Sequence, residues 1–182
     1  MRYTTWTSDR MSVSYGQYYL QGDEFLSEYD DTDTVERIFD GNSLVAGGPE
    51  HLTVLAGTHT GCIRLTTQHC ADEPLLSEQE WETVVDVSIR STSGNLRLFR
   101  WGGDVEEDAG NFATAGAGWY RVRVQARGRD EGDGHEGDTP VEEHLLSVWP
   151  APPQPDTVHR ANDALARTHY DPTRPPGQPI HP

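Results

Sequence analysis

The feature that most constrains this fold is a recurring period-two alternation of apolar and polar side chains, which only an extended chain with one buried face produces. In residues 82–91, Val85, Val87 and Ile89 alternate with Asp86, Ser88 and Arg90. In 96–101, Leu96, Leu98 and Arg100 alternate with Arg97, Phe99 and Trp101, and Ser93-Gly94-Asn95 between the two runs predicts a hairpin. Residues 12–21 read as one strand with Val13, Tyr15, Gln17 and Tyr19 on one face. Residues 51–56 and 62–67 read as a pair joined by 57–61. Tyr120, Val122 and Val124 alternate with Arg121, Arg123 and Gln125 in 119–126, and 143–149 closes the folded part. No crossover helices recur between these runs. The expected class is therefore all-β, an antiparallel β-sandwich of jelly-roll type. Short helical turns are expected at 24–39 and 77–81, the second from the capping box that Ser77 and Glu80 offer.

Residues 1–150 are expected to form the sandwich domain and 151–182 a Pro-rich tail, since nine of the 12 prolines fall from Pro150 onward. Within the tail, 156–168 predicts a short capped helix with Val158, Ala161 and Leu165 on one side, whereas 171–182 has nothing to pack. Five Trp, seven Tyr and four Phe supply bulk to a chain that is only 34% hydrophobic. By default Tyr15, Tyr18, Tyr19, Trp101, Trp119 and Trp149 belong mostly in that core, although Tyr and Trp also anchor interfaces.

Charge narrows the function classes. Thirty carboxylates face 14 cations, every one of them Arg, for a net charge of −16. The lack of Lys fits GC-rich codon usage. A nucleic-acid binder must neutralise phosphates with clustered cations, so that class is excluded, as is docking on an anionic membrane. Four stretches hold 24 of the 30 acids: 23–36, 72–86, 104–108 and 130–143. The connections are thus acidic while the strands carry Arg. The run 120–129 (YRVRVQARGR) is the one basic feature, expected as a solvated sheet face paired with the acidic loops.

No apolar core of signal-peptide length follows Arg2, and no run approaches the ~20 apolar residues of a membrane helix, so a cytoplasmic protein is expected. Cys62 and Cys70 flank a strand of roughly 26 Å at ~3.3 Å per residue, too far apart to form a disulfide. Two reduced thiols are the expectation.

Catalytic motifs fail on context. Asp31-Thr32-Asp33-Thr34-Val35 matches the nucleophile string of haloacid-dehalogenase-like phosphotransferases, yet no buried parallel strand precedes it. The run 130–138 (DEGDGHEGD) lacks the alternate-position acids of an EF-hand and reads as a mobile hairpin loop. The eight His are scattered, and Cys62, His69 and Cys70 could share a zinc only if the strand folded back. No cofactor, metal or catalytic residue is expected.

Three pieces, 12–19 (SVSYGQYY), the run 84–99, and Gly118-Trp119-Tyr120-Arg121-Val122-Arg123-Val124 followed by Leu145-Leu146-Ser147-Val148-Trp149, resemble the ComJ-like family of nuclease inhibitors. The late stretch is also similar to actinobacterial proteins of uncharacterised function. The resemblance implies a small acidic cytoplasmic β-protein that inhibits by binding, with no cofactor. A basic protein partner such as a nuclease or toxin is therefore expected. The partner-binding residues expected are Trp101 with Asp104, Glu106, Glu107 and Asp108, an aromatic anchor beside a compact acidic loop. A sandwich that binds a small molecule or carbohydrate through Trp101 or Trp119 is the alternative, and a carboxylate- or metal-dependent enzyme comes third.

Overall fold

Strand β1 (Tyr3–Ser14) organises the molecule in the computed structural model, which describes residues 3–23, 38, 41–48, 50–76 and 81–173. It runs antiparallel to β5 (Thr60–Cys70) from Tyr3↔Cys70 to Ser14↔Thr60, with an irregularity between Ser8 and Met11. It then turns at Tyr15-Gly16 into β2 (Gln17–Gln21). Both turn residues are left-handed, Tyr15 at φ 54° and Gly16 at φ 62°, as two-residue hairpins require. Residues 12–21 are thus two strands rather than one. Gly16 inside an alternating run was the local sign of the break.

Beyond β1 the sheet continues through β5, β10 (Glu143–Pro150), β8 (Gly118–Arg127), β6 (Thr83–Ser91) and β11 (Thr157–Ala161). Beyond β2 it continues through β4 (His51–Leu55) to β3 (Val45–Gly48), while β7 (Arg97–Arg100) takes the other edge of β2. A two-residue strand, β9 (Glu136–Gly137), adds to β5. The class is all-β as the alternation indicated, in the form of a curled, mixed sheet. Its parallel pairings are β10 with β5 and β5 with β9.

Both halves face one core. Val13, Ile63, Leu65, Val85, Val87, Ile89, Tyr120, Val122, Val124, Leu146 and Val148 come from the β11-to-β1 half, and Tyr18, Leu20, Val45, Leu52, Val54 and Leu98 from the other. At ~25 cal/mol per Å² of apolar surface, such burial is the main stabilising contribution.

Two pairings differ from the sequence expectation. The runs 51–56 and 62–67 do not pair: β4 lies between β2 and β3, and β5 between β1 and β10. Nor do 82–91 and 96–101 form a hairpin, because β6 is occupied by β8 and β11 while β7 pairs with β2. The connection is an arch between the two halves of the sheet. Ser91 Oγ donates to the Asn95 carbonyl at 2.9 Å, and Asn111 Nδ2 donates to that of Gly94 at 2.8 Å. Alternation fixes which face a side chain takes, not which strand lies alongside.

The arginine face of β8 is buried, not solvated. Arg123 Nε and Nη2 each donate to Asp86 at 2.8 Å, Nη1 donates to the Pro74 carbonyl, and Nη2 also reaches Glu73. Arg121 Nη1 donates to Ser88 Oγ and to the carbonyl of Gln154. Glu73, Pro74 and Gln154 thus cover Arg121 and Arg123, while Arg127 further along the strand stays partly exposed and pairs with Glu143 at 2.6 Å.

The segment read as a helix from 156 to 168 begins as β11, whose Thr157 and Val158 pair with Asp86 and Val85. Only then, after Asp163 caps it by accepting from the Ala166 N–H, does the short C-terminal helix run from Ala164 to His169. A shorter helix, α1 (Arg129–Gly132), precedes β9 within the acidic run expected as a mobile loop; the C-terminal one is α2. No described helix is long and apolar enough to cross a membrane. The helical turn expected at 24–39, apart from residue 38, the capping box at 77–80 and the 31–35 motif lie outside the described residues.

Buried His51 supplies the first testable consequence. It lies at hydrogen-bond distance from Gln21 Oε1 (3.0 Å) and Thr53 Oγ1 (2.8 Å), and burial lowers its pKa from 6.5 to about 4. The unfolded chain takes up the proton near 6.5, while the folded chain resists until about 4. The contribution to stability is therefore complete above 6.5 and disappears as pH falls through that window. The difference corresponds to about 3 kcal/mol. His51→Gln should flatten the urea midpoint between pH ~7 and ~5 relative to wild type. An equally steep fall in the variant would refute the assignment.

Candidate functional site

Three aromatic side chains meet at the end of the sheet where the β1–β2 turn sits. Tyr15 is 57% exposed and Trp101 is 45% exposed, and their ring centroids lie 4.6 Å apart at a tilt of 42°. His59 also meets Tyr15, edge-on at 5.5 Å. Tyr15 is the only non-Gly residue besides Ser43 held at positive φ among the described residues, which costs about 1 kcal/mol or more. That conformation belongs to the tight β1–β2 turn, which leaves the Tyr15 ring exposed.

Strand pairing explains why these residues meet. The Tyr18↔Arg100 pair brings the end of β7, and hence Trp101, beside the start of β2. The 56–59 turn is fastened to the hairpin by Gly16 N–H donating to the His59 carbonyl and Ala56 N–H donating to that of Gly16, both at 2.8 Å. Gly57 is required there, because a Cβ would stand 2.0 Å from the Arg129 carbonyl oxygen.

Two acidic stretches flank the aromatics. The first, 101–108, carries the four acids expected to bind a partner, and the structure places them beside Trp101 with part of their charge compensated. Arg100 pairs with Glu106 at 2.8 Å and with Asp104 at 3.7 Å, and Arg97 pairs with Glu107 at 3.8 Å. Asp108 is exposed and has no ion pair among the described residues. The second stretch is 130–138. A bridge between Thr58 and Asp133 and the pairing of Thr60 and Gly61 with β9 set it against the His59 turn. Asp130 accepts from the Ala164 N–H at 2.8 Å and Asp138 pairs with Arg10 at 3.1 Å, leaving Glu131 and Asp133 exposed.

The sequence did not join Tyr15 and His59 to Trp101, because long-range pairing brings them there. The aromatics assigned to the core divide: Tyr18, Tyr19 and Trp149 are buried, Trp119 is half-buried, and Tyr15 and Trp101 are exposed.

A second constellation has catalytic components but no access. Tyr18 Oη lies 2.7 Å from His144 Nδ1, and His144 Nε2 lies 2.7 Å from Glu142 Oε1. The Gly57 and Thr58 N–H groups donate to the same carboxylate at 3.0 and 2.8 Å. Burial works against the Glu142 charge, but His144 and the two N–H groups outweigh it and lower the pKa below 4.5. An ionised carboxylate only accepts, so Nε2–H donates to it. Burial, with Glu142 second, pushes the Tyr18 hydroxyl well above its ordinary pKa. It stays protonated, within hydrogen-bond distance of Nδ1. All three side chains are at most 1% exposed, so the chain of hydrogen bonds holds the His59 turn in place.

Cys62 and Cys70 are buried free thiols at opposite ends of β5, and His69 Nε2 donates to the Ala109 carbonyl at 3.0 Å. Among the described residues no three His, Cys, Asp or Glu side chains are placed to hold a metal ion.

Neither a protein-family model nor a curated protein matches the chain. Among solved structures it is similar to ComJ from Bacillus subtilis, described as the inhibitor of the DNA-degrading activity of NucA. That match has 14% identity and a TM-score of 0.54, and covers 83% of this chain and all of ComJ. It is also similar to the product of crocagin biosynthetic gene J, at 14% identity and a TM-score of 0.52, over 84% of this chain and all of that one. The chain thus shares its fold with ComJ, as the three sequence pieces suggested.

Proposed function

We propose that this chain is a non-enzymatic, acidic cytoplasmic protein that binds and inhibits a basic protein partner, such as a nuclease, through the end bearing Tyr15, His59 and Trp101. The observation that carries the reading is the exposed Trp101–Tyr15 pair between two acidic stretches. Desolvated aromatics are the usual anchors of an interface, and a rim of one charge sign speeds encounter with the opposite sign. The inhibitory activity described for ComJ, a protein of the same fold, supports it.

A photo-crosslinker at Asp108, compared with one at exposed Thr157 on β11, tests the reading in cells of origin. Asp108 should capture a basic protein whose activity falls when one equivalent of this chain is added. Equal capture from both positions would overturn the assignment, as would a partner bound unchanged by Trp101→Ala. That variant should raise the dissociation rate about 30-fold, an anchor contribution of about 2 kcal/mol, and leave the fold intact.

Replacing Asp104, Glu106, Glu107 and Asp108 with Asn or Gln should act on association instead. Because Arg97 and Arg100 already offset part of this charge, slowing of about threefold to tenfold is expected. The salt dependence should shrink with it, since the Debye length contracts from ~10 Å at 0.1 M to ~3 Å at 1 M. A partner whose binding ignored both salt and these four acids would make the charge a solubility device.

A further inference from the structure

We infer that the Trp101–Tyr15 pair is a seat for an arginine side chain of the partner, an assignment that rests on the proposed reading of this end as the binding surface. The way two of the five indole rings are used within the fold carries the argument. Arg123 Cζ lies 5.5 Å from the centroid of the Trp149 ring, and Arg127 Cζ lies 5.0 Å from that of Trp81. Both indoles are buried, and both are covered by a guanidinium from within the chain. Trp101 is exposed, and no cation lies over it among the described residues. The nearest candidate in sequence, Arg100, is engaged in ion pairs with Glu106 and Asp104.

The surroundings favour an incoming cation. Asp108 and Asp133 are exposed without ion pairs among the described residues, and Asp133 is bridged to Thr58, next to His59. A planar guanidinium is more weakly hydrated than an ammonium and stacks on aromatic faces, so arginine suits a stacked pair better than lysine. The ring quadrupole attracts the charge at contact, and the acidic rim attracts it from further away. Neither contribution exists for a neutral ligand such as a sugar.

The test uses the full chain and a hexapeptide alternating Arg and Gly, against the same peptide with citrulline, which keeps the shape and removes the charge. A lysine version is the third probe. The arginine peptide should shift the Trp101 indole N–H resonance saturably, with affinity falling as salt rises. The citrulline peptide should bind about tenfold more weakly, the lysine peptide in between. Trp101→Leu should weaken the arginine peptide about two- to fivefold, with Trp101→Phe intermediate. Equal binding of the citrulline peptide would overturn the inference, as would shifts that leave Trp101 unmoved. These outcomes are separable from failure of the binding surface itself. If the partner crosslinks at Asp108 but binds Trp101→Leu as well as wild type, packing alone engages the site and only the arginine seat is lost.

Discussion

Asp163→Ala should destabilise the fold by about 3–5 kcal/mol, the range for leaving one member of a buried ion pair without its partner. Asp163 and Arg129 are both at most 1% exposed, and Arg129 Nη1 donates to Asp163 Oδ2 at 2.9 Å. The same carboxylate accepts from Thr83 Oγ1 and from the Ala166 N–H that begins α2. The guanidinium donates to the Ser43 carbonyl at 2.7 Å, so one pair ties α1, β6, the turn before β3 and the C-terminal segment together. Arg129→Met should cost a similar amount by stranding the carboxylate. The double variant Arg129→Met with Asp163→Leu removes both charges and should recover part of the loss, because desolvating an ion pair offsets most of its attraction. Recovery stays partial, since Thr83 and the α2 N–H still lose their acceptor. Urea midpoints for the three variants decide the matter. Strictly additive losses would show that the two groups act independently, against the geometry.

How much of this was legible in the sequence differs by level. Alternation in 82–91 and 119–126 identified the core faces of β6 and β8, because Val85, Val87, Ile89, Tyr120, Val122 and Val124 all lie in the one core. It did not identify neighbours. Ser93-Gly94-Asn95 makes a turn in either a hairpin or an arch, and the choice depends on β8 and β11 occupying the edges of β6. Nor did it reveal that the arginine face of β8 would be covered, since that depends on where 71–76 and the segment after β10 settle. Trp101 and its four acids could be read together because they adjoin in sequence. Tyr15 and His59 could not, because the β1–β2 turn and the β2–β7 pairing bring them to the same place. A Tyr in a left-handed turn position leaves no mark in an alternation pattern, and only the Gly after it signals the bend.

Glu142→Ala should cost about 4 kcal/mol, since it strands the Gly57 and Thr58 N–H groups and the buried His144 N–H, each worth about 1–3 kcal/mol when left without a partner. The effect should not stay in the core. Those two N–H groups belong to the turn that carries His59 against Tyr15, so their release loosens the aromatic cluster as well as the fold. Amide exchange at Gly57 and Thr58 should accelerate far more than exchange in β8. Affinity for the partner should fall even under conditions where the variant is fully folded. Glu142→Gln is the informative comparison: it keeps one acceptor and the volume but removes the charge. The pH dependence follows from the lowered pKa of Glu142, whose contribution is complete above its ordinary value of 4.5 and lost as pH falls through the lower folded value. Wild type should therefore lose stability in that acidic range, and Glu142→Gln should lose less across it while starting from a lower plateau. If Glu142→Gln matched wild type at neutral pH and in exchange at Gly57, the carboxylate would be a passive filler and the His59 turn would be held by other contacts. If it loosened the turn without lowering partner affinity, His59 would lie outside the interface, and Trp101 with Tyr15 would carry the binding alone.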